Sequence, residues 1–258
     1  MNGTAFPVLL QFDPELRFFL RKEERGGTVT RVLKEKTSIK DVIEACGVPH
    51  PEVNRIIIGG RAVSFEHQVE TSAEVFVSSI FDAFGASGDS LQLRHVGRFV
   101  ADGHLGKLAR DLRLLGLDVA YDSNADDKAL ALQSATEERA LLTRDRRLLM
   151  HKAIRHGYCL RSTNPDEQVI EVARRFDLAE LEAPFTRCLR CNGLLERVAK
   201  AAVLDELEPL TRIYYEEFRR CAGCGRIYWP GSHFGNLEAR IEKIRSRFNR
   251  ESAIDIRK

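Results

Sequence analysis

Two pairs of cysteines with the same internal spacing constrain this chain more than any other feature of its sequence. Cys188 and Cys191 form the first Cys-x-x-Cys pair, Cys221 and Cys224 form the second, and 29 residues separate the pairs. Four thiolates presented by two tight turns suit a tetrahedral zinc site. Because four protein ligands fill the coordination sphere, we expect this zinc to be structural and the chemistry to lie elsewhere. Four buried thiols or two disulfides are the alternatives.

A glycine follows each pair closely, Gly193 after the first and Gly225 after the second. Glycine adopts positive φ angles without steric cost, so we expect both glycines to supply the positive φ that such turns need. Cys46 and Cys159 fall outside the pattern. They are predicted to be small buried hydrophobic residues.

The composition is typical of a soluble protein rather than a membrane protein. Its 258 residues suffice for two or three domains, and 43% of them are hydrophobic. No apolar run approaches the roughly 20 residues of a membrane span, and the sequence from Met1 shows no secretory signal. The zinc-type cysteine spacing agrees with a reducing compartment. We therefore expect a cytoplasmic location with no membrane association.

Residues 1–80 predict a small domain in the order strand, strand, helix, strand, strand, which is that of a β-grasp. Ser38 is a candidate N-cap for its helix, and Gly47 ends that helix. The motifs Glu15-Leu-Arg-Phe-Phe-Leu20, Ser38-Ile-Lys-Asp-Val-Ile-Glu44 and Ile58-Gly-Gly-Arg-Ala-Val63 resemble those of the ThiS/MoaD-like ubiquitin-type domain.

In that resemblance, a sulfur carrier acts through a free C-terminal Gly-Gly. Here Gly59-Gly60 lies inside a predicted hairpin, and the sequence ends with Ile256-Arg-Lys258. Carrier chemistry is therefore not favoured. Two interpretations stay open, a module that binds a protein partner and a domain that only packs against its neighbour.

A small, polar stretch within residues 81–96 predicts a linker, and a new pattern begins at residue 97. Residues 97–180 alternate short strands with helices, which predicts a parallel three-layer α/β/α sheet. On the first helix of this segment, a leucine face is formed by Leu105, Leu108, Leu112 and Leu115.

Several aspartates follow the predicted strands of this segment. Asp102 and Asp145 come directly after strands, and Asp126 and Asp127 open a helix. Ligands of such sheets gather at the carboxyl ends of the strands, so we expect these carboxylates to share one rim. Converging carboxylates repel one another unless a cation sits between them, and oxygen ligands favour Mg²⁺ or Mn²⁺. The alternative for Asp126, Asp127 and Asp145 is helix capping.

Basic residues surround the aspartates and predict contacts with a phosphate backbone. This set comprises Lys107, Arg110, Arg113, Arg144, Arg146 and Arg147. The alternative is a solvated helix face with local ion pairs.

These motifs carry a family resemblance. The segment Phe99-Val-Ala-Asp102-Gly-His-Leu-Gly-Lys107 resembles the opening of the PIN-like RNase domain known from the C-terminus of the Mut-seven exonuclease. The segments that start at Asp127 and Arg139 are similar to its second and third motifs, and the cysteine pairs are similar to its appended zinc ribbon.

The resemblance implies a Mg²⁺- or Mn²⁺-dependent ribonuclease that acts on single-stranded RNA or tRNA. By position, Asp102, Asp127 and Asp145 are the implied metal ligands and catalytic residues. PIN domains often carry a fourth acidic residue two places after the third motif's aspartate, where this chain has Arg147. Asp122 or Asp126 is a candidate substitute, and Thr143 is a candidate for orienting Asp145.

Residues 181–235 are predicted to form the zinc ribbon, with hairpin strands at Leu194–Val198 and at Ile213–Tyr215 together with Phe218. Basic and aromatic residues accompany the second cysteine pair, namely Arg226, Tyr228, Trp229 and His233. They either contact unpaired bases and phosphates of RNA or, for Tyr228 and Trp229, cover the zinc site. Residues 236–258 predict a basic amphipathic helix with Leu237, Ile241, Ile244 and Phe248 on its apolar face.

The sequence as a whole predicts a metal-dependent ribonuclease with a β-grasp domain before it and a zinc ribbon behind it. The alternative is an RNA-binding module with a vestigial acidic site, which the arginine at position 147 permits.

Overall fold

A computed structural model describes residues 5–81, 90–178, 183–232 and 234–255. The strands are β1 Phe6–Phe12, β2 Thr28–Leu33, β3 Thr37–Ser38, β4 Arg55–Ile58, β5 Arg61–Ala62, β6 Gln68–Val69, β7 Ala73–Ser78, β8 Arg98–Ala101, β9 Asp118–Tyr121, β10 Ala140–Thr143, β11 Gly157–Cys159, β12 Leu195–Val198, β13 Phe218–Cys221 and β14 Ile227–Tyr228. The α-helices are α1 Ile39–Ala45, α2 Gly106–Leu114, α3 Asp127–Thr136, α4 Arg146–Leu149, α5 Pro165–Arg175, α6 Pro209–Tyr214 and α7 Phe234–Asp255.

The chain divides into two compact units, and neither is continuous in sequence. One unit contains residues 1–96 and 126–159, and the other contains residues 97–125 and 160–258. The predicted boundaries near residues 81 and 181 adjoin positions 82–89 and 179–182, which lie outside the described residues. Within the described parts, no helix has both the length and the apolar character needed to cross a membrane.

The first unit begins with the β-grasp domain. Its five-stranded sheet has the order β2-β1-β7-β4-β5, with β1 and β7 parallel and the other pairs antiparallel. Ser38 caps α1 by accepting a hydrogen bond from the backbone N–H of Asp41 at 3.1 Å, as the sequence predicts. Gly59 and Gly60 have φ angles of 57° and 76° and turn the chain from β4 to β5.

The central strands pair in parallel, β10 with β11 in the first unit and β8 with β9 in the second. Helices α3 and α4 pack against the first of these pairs, and α2 packs against β9. This arrangement confirms the expected α/β class with parallel strands. The leucine face predicted for residues 105–115 is fully buried.

In the first unit, the β-grasp domain packs against β11 through a short 3₁₀-helix, His50–Glu52. The Glu52 carboxylate accepts a hydrogen bond from the backbone N–H of Cys159 at 2.6 Å, and this N–H faces away from β10. His50, also buried, lies 2.7 Å from Glu44 Oε1 and 2.6 Å from the carbonyl oxygen of Ile154. Buried polar contacts of this kind support the interpretation of a domain that packs against its neighbour; a protein partner stays a prediction.

The second unit ends with α7, whose predicted apolar face is confirmed. Ile241, Ile244 and Phe248 are buried. On the same helix, Arg240 donates to Asp166 at 2.5 Å and forms an ion pair with Asp111. The hydrogen bond from Lys243 and the pairing with Arg240 lower the pKa of Asp166 to about 2.

The ribbon differs from its prediction in one element. Residues Pro209–Tyr214 form helix α6, so the prediction of a strand at Ile213–Tyr215 is wrong. Pro209 stands at the start of the helix, where its fixed φ favours helical backbone, and the Ile213 and Tyr214 side chains are 67% and 72% exposed. The hairpin is formed instead by β12 and β13, with β14 added as a third strand.

Replacing Glu52 tests the junction between the β-grasp domain and β11. In Glu52→Ala, the N–H of Cys159 loses its acceptor in a buried site, and we expect the free energy of unfolding to fall by about 1–3 kcal/mol. Glu52→Gln keeps an acceptor oxygen and should lose less. Urea unfolding gives both values, with exposed Glu23→Ala as the control; equal stability of Glu52→Ala and the control would contradict this role.

Replacing Arg240 tests how α7 is held. We expect Arg240→Met to lower the free energy of unfolding by about 1–3 kcal/mol at pH 7, because Asp111 loses its ion-pair partner and Asp166 keeps only Lys243. Asp166 has a lowered pKa in the folded state, so its contribution is present above its unfolded pKa of about 4 and is lost as the pH falls towards about 2. The difference from the parent chain should therefore shrink between pH 4 and pH 2. A difference that grows in acid would contradict the assignment.

Candidate functional site

Asp102 directly follows β8, at the carboxyl end of that strand. Its carboxylate lies 3.4 Å from Nδ1 of His104. Ala101 is in register with Tyr121 of β9, so Asp102 and Asp122 leave two paired strands at the same level. Strands in a sheet are about 4.8 Å apart, which places the backbones of these two aspartates side by side. The Asp122 carboxylate also accepts a hydrogen bond from the N–H of Asn124 at 2.9 Å.

Two glycines shape the turn that carries Asp102. A Cβ on Gly103 would lie 2.9 Å from the carbonyl oxygen of Ser123, and a Cβ on Gly106 would lie 2.6 Å from the Tyr121 hydroxyl. That hydroxyl donates a hydrogen bond to the carbonyl oxygen of Gly103 at 2.7 Å. Tyr121 and Ser123, at and after the end of β9, therefore lie close to Gly103 and Gly106 and fix the backbone next to Asp102.

In the other unit, Asp145 follows β10 and caps α4. One carboxylate oxygen accepts from the N–H groups of Arg147 and Leu148 at 2.7 and 3.3 Å. Thr143 Oγ1 accepts from the N–H of Asp145 at 2.9 Å, so it holds the backbone of Asp145 rather than its carboxylate. The capping interpretation is thus confirmed for Asp145, and the second carboxylate oxygen can still take another partner.

Asp126 is the N-cap of α3 and accepts a hydrogen bond from the N–H of Ala129 at 2.8 Å. Asp127 is the first residue of the helix, and its side chain is exposed. The metal-binding roles of these aspartates stay predictions. Among the described residues, the four cysteines are the one group of three or more potential ligand side chains whose donor atoms lie within 4.8 Å of one another.

The four cysteines form a compact cluster in the ribbon. The Sγ atoms of Cys191 and Cys221 are 3.3 Å apart, and those of Cys188 and Cys224 are 3.7 Å apart. Backbone N–H groups point at the sulfurs, including that of Gly223 at 3.3 Å from Cys221 Sγ. All four are free cysteines, so the structure contains no disulfide between them. This is the arrangement of a four-thiolate metal site.

Hydrogen bonds to sulfur favour the thiolate form of one cysteine of the cluster, Cys188. Burial by itself raises the pKa of Cys188, but hydrogen bonds from Tyr228 and from nearby backbone N–H groups lower it to about 6. The Tyr228 hydroxyl is 3.1 Å from Cys188 Sγ. Burial raises the pKa of Cys191 to about 12. A dication that replaces the remaining protons would stabilise all four thiolates together.

The comparison with protein families matches both halves of the chain. The family described as Mut7-C RNAse domain matches residues 97–241, which is more than half of the chain. The chain belongs to the Mut7-C RNAse domain family. A second family, described as Mut7-C ubiquitin, matches residues 6–85 and agrees with the β-grasp fold. No curated protein and no solved structure matches the chain.

Four of the cations predicted to surround the aspartates of the Mut7-C RNAse domain are exposed to solvent. These are Lys107, Arg110, Arg144 and Arg147. Their side chains can therefore reach an RNA backbone.

Two other predicted RNA contacts are engaged inside the protein instead. Arg113 is 3% exposed and donates to the carbonyl oxygens of Val119, Leu189 and Arg190. Arg146 donates to the carbonyl oxygen of Phe19, and its guanidinium lies 4.9 Å from the centre of the Phe18 ring. The prediction of RNA contact is wrong for Arg113, because phosphate cannot reach a buried guanidinium. Arg146 instead joins α4 to the β-grasp domain.

Asn192, not Gly193, supplies the positive φ of the first cysteine turn. Its φ is 71°, whereas Gly193 is not among the glycines with positive φ. The Asn192 side chain accepts from the N–H of Val119 at 3.0 Å and donates to Asp118 at 2.7 Å. Sequence reasoning missed this link, although an asparagine directly after a Cys-x-x-Cys pair is itself a signal, since asparagine tolerates this backbone region.

Gly193 instead leaves room for the sulfur of Cys221, and a substitution can test this role. A Cβ at this position would lie 2.8 Å from Cys221 Sγ, so we expect Gly193→Ala to displace a ligand, weaken metal binding and destabilise the ribbon by about 1–3 kcal/mol. A Cβ on Gly235 in α7 would meet nothing within 4 Å, so Gly235→Ala is the matched control. Competition with a chromogenic chelator measures the affinity. Equal metal affinity of the two variants would contradict this assignment.

The His233 contact predicted for the second cysteine pair falls outside the described residues.

Proposed function

We propose that this Mut7-C RNAse domain protein is a Mg²⁺- or Mn²⁺-dependent ribonuclease that cuts single-stranded RNA or the unpaired parts of structured RNA such as tRNA. The family match over residues 97–241 carries the proposal. The position of Asp102 at the carboxyl end of a parallel strand supports it, since ligands of α/β sheets gather there.

In this proposal, Asp102, Asp127 and Asp145 hold the hard cations. Such cations lower the pKa of a bound water and neutralise the charge that develops on the phosphodiester. The fourth acidic ligand is absent from its usual sequence position, where this chain has Arg147. Asp122 is a better substitute for this ligand than Asp126, because the strand register puts Asp122 next to Asp102. The exposed Lys107, Arg110, Arg144 and Arg147 hold the phosphates of the RNA.

The reaction itself is a hydrolysis. A water oxygen forms a bond to phosphorus while the bond from phosphorus to the 3′-oxygen breaks. The leaving 3′-oxygen takes a proton, and the phosphate stays on the 5′ side of the downstream nucleotide. The side chains that we assign orient the phosphodiester and the cations for this displacement.

The four cysteines bind zinc in this proposal, and the zinc has a structural role. Thiolate donors at tetrahedral spacing prefer zinc to Mg²⁺ or Mn²⁺, so the two kinds of site do not compete for one ion. Cysteines without disulfides persist in a reducing compartment, which supports the cytoplasm as the location.

Substitution of the aspartates tests the ribonuclease directly. We expect Asp102→Asn and Asp145→Asn each to slow cleavage of end-labelled single-stranded RNA at least roughly 100-fold, because each removes a charged ligand of the cations. Asp205→Asn, at an exposed ribbon position, should cleave at the parent rate. Cleavage should depend on added Mg²⁺ or Mn²⁺.

A second candidate function follows from Arg147, which stands where a fourth acidic residue is expected. A non-catalytic RNA-binding module predicts salt-sensitive RNA binding without turnover. Its binding should become tighter when Asp102 or Asp145 is neutralised, since a repelling charge is removed. Intact RNA under every metal condition would favour this candidate over the ribonuclease.

Metal analysis tests the zinc assignment. We expect one zinc per chain in the parent protein and loss of that zinc, together with ribbon structure, in Cys188→Ser. Cys46→Ser removes a buried thiol outside the cluster and should keep full zinc content. A parent protein that contains no zinc after expression with excess zinc would contradict the assignment.

A further inference from the structure

A pocket of about 580 Å³ opens on the ribbon, within the second unit. Its walls include the aromatic residues Phe185, Tyr228, Trp229 and Phe234, together with several arginines. A volume of this size lies within the range of small-molecule sites, and it is large enough for one nucleotide. The zinc assignment explains the fold of the ribbon but not this combination of side chains.

One wall is a face of the three-stranded sheet. Arg197 is in register with Arg219, and Arg219 is in register with Tyr228, so the three side chains project from the same face. Like charges directly opposite each other on neighbouring strands destabilise a sheet. Arg219 uses its guanidinium to donate to the carbonyl oxygen of Phe185 at 2.8 Å. The two cations therefore lie together at a place where an anion would relieve their repulsion.

The mouth of the pocket adds further positive charge. Arg197 and Arg226 line the pocket and are exposed, and within the described parts of the chain neither has an ion pair. Two carboxylates also line it, Glu216, which pairs with Lys200 at 2.6 Å, and the exposed Glu217. Arg187 also lines the pocket and pairs with Asp118 at 3.4 Å. With Arg187 and Glu216 each paired, the three remaining arginines face one acidic side chain, Glu217. This balance favours an anionic ligand.

The aromatic side of the pocket is held in place and partly open. The rings of Phe185 and Phe234 stack with centroids 4.6 Å apart. Trp229 is 38% exposed, and a Cβ on Gly231 would lie 2.8 Å from its indole nitrogen, so the glycine allows the indole to lie over the turn. Tyr228 is committed to Cys188 through its hydroxyl. Trp229 is the most exposed of these four rings and can therefore present its indole to a ligand.

We propose that this pocket binds an unpaired nucleotide of the RNA, with the base against Trp229 and the two phosphates that flank the nucleotide held by Arg197 and Arg226. The proposal rests on the proposed ribonuclease function and adds a subsite that selects single strands. A base inside a duplex is stacked and paired and cannot enter. Stacking on an aromatic side chain contributes about 1–3 kcal/mol per base, so one such subsite can change affinity by roughly 10- to 100-fold.

Trp229 is the only tryptophan of the chain, which makes its fluorescence a direct probe of the pocket. We would titrate the zinc-loaded full chain with a ten-nucleotide oligouridylate, without Mg²⁺ or Mn²⁺ so that no RNA is cut. The expected result is saturable quenching that a duplex of equal length does not produce. Inorganic polyphosphate, which has no base, should leave the fluorescence unchanged; quenching equal to that by RNA would overturn the assignment of a base.

The double variant Arg197→Ala and Arg226→Ala should raise the dissociation constant at least roughly 10-fold. It should also reduce the slope of log affinity against log salt by about 1.4, the value for two phosphate contacts on a single strand. Lys34→Ala with Arg61→Ala, both exposed in the β-grasp domain, removes the same charge and should leave affinity unchanged. Circular dichroism and zinc content show that both variants are folded.

The outcomes separate this proposal from the ribonuclease itself. If the parent chain cuts RNA but RNA leaves Trp229 fluorescence unchanged and the arginine double variant binds normally, the pocket proposal is overturned and the ribonuclease stands. If RNA quenches Trp229 but stays intact under every metal condition, the ribonuclease fails and the pocket stands. An equal loss of affinity in both double variants would show a general charge effect and would overturn the pocket.

Discussion

The outer edges of the short parallel strands impose the constraint on which the rest of this structure depends. A strand at the edge of a sheet leaves backbone N–H and C=O groups without partners, and each such buried group costs about 1–3 kcal/mol. The chain meets this constraint with side chains, two of which come from its flanking domains and one from α2. Glu52 of the β-grasp domain accepts from β11, and Asn192 and Arg113 take both backbone groups of Val119 in β9.

This constraint links the flanking domains to the parallel strands. The β-grasp domain accepts a hydrogen bond from β11 through Glu52, contacts Ile154 before that strand through His50, and binds Arg146. The first cysteine turn contributes Asn192 to β9. A metal at the cysteine cluster would therefore stabilise an edge of the α/β domain as well as the ribbon. The same contacts remove Arg113 from the set of cations that can reach RNA, and they leave Lys107, Arg110, Arg144 and Arg147 exposed.

Local sequence patterns predict those parts of the fold that local physics determines. The cap at Ser38, the leucine face of α2 and the apolar face of α7 each follow from spacing within one element. The same holds for the cysteine cluster, because four thiols in two tight turns have few arrangements open to them.

The features that the sequence did not predict depend on contacts between residues far apart in the chain. The hydrogen bond from Cys159 to Glu52 joins residues 107 positions apart, and the one from Arg146 to Phe19 spans 127 positions. No periodicity reveals such pairs, so an arginine beside Asp145 is indistinguishable in sequence from one that binds phosphate. The strand predicted at Ile213–Tyr215 failed for a related reason: alternation of apolar residues there reflects exposed side chains of a proline-started helix.

The chemistry of the cut ends tests the central claim most directly. Cation-dependent hydrolysis at the aspartates predicts products with 5′-phosphate and 3′-hydroxyl ends. It also predicts continued cleavage when the nucleotide at the cut carries 2′-deoxyribose, because water rather than the 2′-hydroxyl attacks phosphorus. Mass spectrometry of the products distinguishes these ends. Products with 2′,3′-cyclic phosphate, formed without Mg²⁺ or Mn²⁺ and abolished by the 2′-deoxy substitution, would contradict the account.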